Sequence, residues 1–304
     1  MAVTGKIIIL FSIFFSCYYW GNAQIDTAYI QPYEQKLSVQ VYVARDLLLL
    51  NQNIDADTEK SFVPNNPPNV GLGISVRNTI INFQYGYGFD FMRNKKQGKT
   101  KSFDLQLHNY GQKFVFDVFF QKYKGFYNDE PELELYPDLK VQLIGANAQY
   151  VFNNKKFSYK AAFNQSARQI KSAGSWLAGV GISFAKIESD SSFIFKNEHL
   201  FNNFQFGISG GYAYTHSFNR HWFISGSATV GINFGSEKFS TLFKQKLEVY
   251  PTVFPRLAAG YNRDSWSLGL SFLCNVVFPS MSDSEGLMLV SGTGSITFTK
   301  RFNW

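Results

Sequence analysis

Residues 207–211 read Gly-Ile-Ser-Gly-Gly, the spacing that presents a serine nucleophile when a strand turns sharply into a helix. Here Ser209 lies inside continuing two-residue alternation, Phe204 to Phe218, with no turn to expose it. Chance glycines in a strand account for the pattern better. His108, His199, His216 and His221 have no metal-ligand spacing, and His216 and His221 flank a turn, where an interfacial role fits. No catalytic set emerges, so a non-enzymatic protein without a cofactor is expected.

Charge offers more. Asp129, Glu130, Glu132, Glu134 and Asp138, with Tyr127 and Tyr136, form an acidic run that either gathers cations or a basic partner, or is a solvated loop. The basic stretch 93–101 pairs either with lipopolysaccharide phosphates or with that acidic neighbour. A third set sits at inward positions of alternating segments: Arg77, Asp90, Asp104, Asp117, Lys160, Glu248, Arg256 and Arg301. Both signs occur. In a low-dielectric interior they favour pairing, hence a filled or narrow lumen over an ion-selective pore.

The elements that must carry these residues are strands. Trp222, Ile224, Gly226, Ala228, Val230, Ile232 and Phe234 alternate with Ser225, Ser227, Thr229, Gly231 and Asn233. The same split recurs in 265–278, where Cys274 joins the apolar face, and in 290–304, where Phe302 and Trp304 do. It recurs in 81–91 and 103–108 as well. These runs exceed the ~5–6 residues usual in sandwiches and match tilted membrane strands. Aromatics make up 18% of the chain, with 32 Phe and 17 Tyr, as expected of one lipid-facing layer against a polar interior.

Short turns at 77–78, 109–112, 153–156, 218–221 and 262–264 alternate with long loops near 45–69, 92–100, 123–138, 188–200, 236–246 and 279–287. Outer-membrane barrels keep short turns in the periplasm and long loops outside. Residues 157–187 are too long for one strand, and counting them as two gives an odd total. We therefore expect 164–175 to leave the wall and fold inward, carrying Arg168 and Lys171 toward Asp90, Asp104, Asp117 or Glu248, with the strand resuming at Trp176.

Residues 1–23 have the form of a cleaved signal peptide: one charge at Lys6, an apolar run, then Gly21 and Ala23 before the cut. Cys17 leaves with it, so Cys274 has no disulfide partner within the chain. The formal net charge of +7 falls by one with Lys6, a diffuse basic balance that does not indicate nucleic acid. Beyond residue 23 no apolar run reaches the ~20 residues of a spanning helix.

The stretches 64–91, 99–127 and 157–183 resemble the DUF4421 family of Bacteroidetes outer-membrane proteins, and the similarity extends over roughly 26–304. The resemblance implies an outer-membrane barrel and no particular activity, so it assigns no catalytic residues. The aromatic end, Phe302 and Trp304, also resembles the signal read by the barrel-assembly machinery.

The expectation is thus an all-β, transmembrane, antiparallel up-and-down barrel of about twelve strands, in a range of about 10–14. Residues 1–23 are the leader, 24–35 a short periplasmic segment and 36–304 the barrel. Its partners are outer-membrane lipid and lipopolysaccharide, and the assembly machinery during insertion; solute and protein partners are not specified. The expected role is a narrow channel or a structural envelope component with a partly plugged lumen. The alternatives are a lipid-modifying enzyme and a surface receptor or adhesin.

Overall fold

The computed structural model describes residues 24–303 except 36, 54–58, 77–78, 86–88, 192, 194, 196, 237–247 and 282–285, and the side chains of 75–76 and 79–85 are likewise outside the description. The leader, Arg77, Trp304 and the loop expected near 236–246 therefore lie outside the described residues, that loop save for Ser236, the last residue of a strand.

The strands are β1 (Ile30–Pro32), β2 (Leu37–Asn53), β3 (Glu59–Phe62), β4 (Asn69–Val76), β5 (Thr79–Tyr85), β6 (Lys101–Tyr110), β7 (Phe114–Asn128) and β8 (Glu134–Val151). A short helix, α1 (Tyr159–Phe163), follows. Then come β9 (Ala167–Gln169), β10 (Ala173–Glu188), β11 (Leu200–Ser217), β12 (Trp222–Ser236), β13 (Glu248–Asn262), β14 (Trp266–Ser280) and β15 (Leu287–Phe302). Consecutive wall strands pair antiparallel, and β15 closes onto β2 from Leu287↔Gln52 to Phe302↔Leu37. Among the described residues twelve strands form the ring, with β3 an extra piece on the end of β2 and β1–β9 a separate two-stranded sheet. Closure removes the edges that an open sheet would leave unpaired.

The outward face is apolar and uncovered. Ile208 and Val230 are 64% and 63% exposed, and Ile182, Leu257, Leu270 and Ile296 are also exposed. Such a continuous band is stable against lipid and not against water. Aromatics ring its turn-side rim: Trp176 meets Tyr212 at 5.1 Å, Trp222 meets Tyr261 at 4.9 Å, and Phe114 meets Tyr150 at 5.3 Å. Amphipathic rings at that height mark a membrane interface. No helix among the described residues is long and apolar enough to cross a membrane.

The interior departs from the expected polar lumen. At the loop end the inward positions are apolar: Leu48, Leu50, Leu139, Leu143, Ile187 and Leu289 are fully buried together with Phe62. Phe193 and Phe195 descend from the 189–199 loop into this cluster, and Val63 bridges to Tyr127 across the mouth. Each such side chain stabilises the closed state by about 1.5–3 kcal/mol, so the cluster seals the loop end.

At the turn end, 152–172 leaves the wall as a plug while β8 pairs directly with β10. The inward excursion is as expected, but it starts earlier, so 157–163 belongs to the plug and not to the wall. The N-terminal stretch 24–35 folds onto it, with Ile30 opposite Gln169 and fully buried. Three other boundaries shift. β2 runs to Asn53, into the loop expected near 45–69, because its inward Leu48 and Leu50 pack in the apolar cluster. β7 and β8 climb through the loop expected at 123–138, leaving only 129–133 as its tip, and β5 stops at Tyr85. Phe91 and Asp90 consequently lie in a 3-10 turn, Asp90–Met92, at the loop end.

Candidate functional site

Between the two seals lies a cavity of about 350 Å³. Its walls are inward residues of β2 (Gln40, Tyr42, Asp46), β6 (Asp104, Gln106, His108), β14 (Ser271, Leu273) and β15 (Thr293, Ser295, Thr297). Its floor is the end of α1, Ala162 to Gln165.

The floor is tied down on several sides. Ser158 caps α1 by accepting the Ala161 N–H at 3.3 Å. The Gln169 amide accepts from Ser158 N and donates to the Lys156 and Lys171 carbonyls at 2.7 and 2.9 Å, closing the plug on itself. Gln40 of β2 donates to the Asn164 carbonyl at 3.0 Å, and Tyr159 donates to Ser227 of β12 at 2.7 Å. Arg301 donates to the Gln165 carbonyl at 2.5 Å and stacks its guanidinium 3.5 Å from the Tyr33 ring centre. Glycine permits the contact with β13: a Cβ at Gly260 would stand 2.7 Å from both Phe223 and Gln165.

Beside the cavity, opposite walls are strapped together. Asp117 of β7 accepts from Arg256 of β13 at 2.6 Å through one oxygen, and lies 2.6 Å from His108 Nδ1 through the other. Both partners are buried, at 4% and 3% exposure, and the two strands are far apart in the ring order. Asp104 is held by neutral donors: Gln106 at 3.1 Å, Gln121 at 2.7 Å and Tyr123 at 2.9 Å. Thr293 donates to Asp46 at 2.7 Å and receives Gln106 at 3.2 Å, joining β2, β6 and β15.

Of the inward charges expected from alternation, Asp104, Asp117, Arg256 and Arg301 are lumenal, and Lys160 is half-buried on α1. Asp90 is not lumenal: it is exposed at the loop end and pairs with Arg93 at 3.2 Å, because β5 ends before it. Glu248 is exposed at the start of β13 and accepts from Tyr250. Arg168 and Lys171 do not reach Asp90, Asp104, Asp117 or Glu248. Arg168 pairs with Asp264 in the turn after β13 at 2.8 Å, and Lys171 sits over the Tyr29 ring at 5.5 Å, since the plug stays near the turn-side rim.

Asp46 escaped the sequence reading because it falls in the expected 45–69 loop. The run Leu47–Leu50 after it is the available signal that the strand continues into an apolar interior.

Ser209 faces the lumen near Asn147 and Asn233, whereas His216 is exposed with its Nδ1 3.3 Å from Ser172 Oγ, so Ser209 and His216 do not assemble. Among the described residues no group of three or more metal-binding side chains occurs. Outside the membrane, Lys60 bonds Glu134 at 2.8 Å and holds its carboxyl below the usual range. The basic and acidic loops also touch, through Gln97 and Asp129 at 3.0 Å.

A family model described as "Domain of unknown function (DUF4421)" matches residues 24–297. No curated protein matches. Among solved structures, the outer membrane protease OmpT of Escherichia coli is 7% identical over 89% of this chain and 98% of its own, with a TM-score of 0.36. OmpT of Vibrio cholerae is 8% identical over 90% and 100%, with a TM-score of 0.29. The toluene transporter TodX of P. putida is 6% identical over 88% and 91%, with a TM-score of 0.23.

Proposed function

The chain belongs to the DUF4421 family, and from that membership and its sealed lumen we propose that it is a non-enzymatic outer-membrane barrel with a structural or ligand-holding role in the envelope. The observation that carries this reading is the double closure. The Leu48–Leu143–Phe193 cluster blocks the loop end, and α1 with β9 and β1 blocks the turn end.

Export through the 1–23 leader and insertion guided by Phe302 and Trp304 complete the proposal. Phe302 is on the outward face, 42% exposed. The basic 93–101 loop stands at the loop end, where lipopolysaccharide phosphates would meet it.

A narrow channel is the second reading, favoured by the cavity between the seals, which a moving plug would connect to one side. A lipid-modifying enzyme has no such support, because Ser209 and His216 lie on opposite faces of one strand. Conductance of the reconstituted full chain in planar bilayers separates the first two. A sealed barrel gives no steady conductance, and a large steady one overturns it.

A further inference from the structure

The outward wall carries charge in one sector. On β7, Lys122 and Lys124 point outward and are exposed, eight and ten residues along the strand from Phe114 at the turn-side rim. On β8, Lys140 lies ten residues from Tyr150, and on β10, Lys186 lies ten from Trp176. A tilted strand crosses the hydrocarbon in about 9–11 residues. These ammonium groups therefore stand one full span from the aromatic rim, at the height of the loop-side headgroups.

Strand register gathers them. Lys101 of β6, Lys124, Lys140 and Glu188 of β10 are consecutive partners in one rung, and Phe103, Lys122, Gln142 and Lys186 in the next. Like charges directly opposite one another on neighbouring strands repel, and among the described residues of these two rungs five lysines meet one carboxylate. Glu188 bonds Lys140 at 3.2 Å and also Lys186. Asp138, two residues further along β8, accepts the backbone N–H groups of Asp190 and Ser191 at 2.8 and 2.9 Å. The rung on the membrane side is apolar: Leu105, Phe120, Ile144 and Phe184 are consecutive partners.

The far side of the ring differs. Val230 on β12, Val253 on β13 and Val276 on β14 stand eight, eight and ten residues from Trp222, Tyr261 and Trp266. Lysines that merely snorkel to an interface have no reason to collect on β6, β7, β8 and β10. An ammonium group is a compact point charge suited to phosphate. Five lysines against Glu188 leave a formal excess of four positive charges, and one phosphate monoester carries about −1.5 to −2 at neutral pH. Two such groups match the patch.

We propose that the outward lysines of β6, β7, β8 and β10 bind the bisphosphorylated head of an outer-leaflet glycolipid, whose acyl chains lie on Leu105, Phe120, Ile144 and Phe184. The site is on the wall of the barrel, apart from the lumen and from the tip of the basic loop. The inference rests on the outer-membrane reading and not on the sealed lumen.

The test titrates the full chain in detergent micelles with bisphosphorylated lipid A and counts bound lipid by native mass spectrometry, folding being checked by heat-dependent gel mobility. One lipid A per chain is expected, held at least tenfold more tightly than phosphatidylglycerol, which has a single phosphodiester charge. Lys122→Gln with Lys124→Gln should weaken lipid A at least tenfold, and the corresponding pair of arginine substitutions should restore it to within threefold. Lys101→Gln with Lys124→Gln takes their place should the first pair fold poorly. Lys95→Gln with Lys96→Gln, in the basic loop, should change affinity less than threefold. Equal affinity for the two lipids, or a loss caused by the loop pair and not by the wall pair, would overturn the site while a heat-modifiable barrel still stands. Failure of the wild-type chain to float with phosphatidylethanolamine vesicles would overturn the outer-membrane reading itself.

Discussion

Asp117 and Arg256 meet across the lumen with almost no solvent to screen them, so each depends on the other for its charge to be tolerated. Removing one member of such a pair leaves an uncompensated buried charge and typically costs about 3–5 kcal/mol. Arg256→Met should therefore destabilise the barrel by about that amount in urea unfolding from vesicles. Adding Asp117→Leu should recover much of the loss, because two apolar groups leave nothing unpaired. A single variant as stable as wild type would show that the pair is solvated. The alternation of β7 and β13 placed both residues inward from sequence alone. It said nothing of which would meet, since partners across a closed ring depend on strand number and register.

The plug is the element whose removal tests the architecture. Deleting 165–173 would free the floor, and on a polar-lumen reading it would open the barrel. The apolar cluster at the loop end changes that expectation: with Leu48, Leu143 and Phe193 packed above, the deletion alone should leave conductance in planar bilayers low. Combining it with Phe193→Ser and Phe195→Ser should raise conductance, because the cluster then loses the rings that descend into it. A steady increase from the plug deletion alone would show that the upper cluster does not seal. Parity and length made the plug legible, since 157–187 could not be one strand. The upper seal was hidden because a buried apolar run on a strand looks the same whether it faces lipid or packs inside.

Closure of β15 onto β2 gives the whole molecule a ring without a strand from which to unzip. Unheated samples in mild detergent should run at a different mobility from boiled ones, and identical mobility would argue against a closed barrel. Phe302 ends the closing strand and faces outward beside the aromatic rim. Deleting 302–304 should lower the amount in the outer membrane without changing passage across the inner one, as measured by fractionation. An unchanged outer-membrane level would remove the assembly role assigned to Phe302 and Trp304.

The sequence by itself determined what depends on neighbours along the chain. Two-residue alternation fixed which face of β12, β14 and β15 meets lipid, and the parity of short turns and long loops fixed an even ring of about twelve strands. The bonds that decide what the lumen can hold join residues far apart in sequence: Asp117 to Arg256, Gln40 to Asn164, Arg301 to Gln165. Their partners are set by strand tilt, register and the depth to which 152–172 inserts, none of which local pattern encodes. Only the closed three-dimensional ring, with its limited circumference to share among twelve strands, decided them.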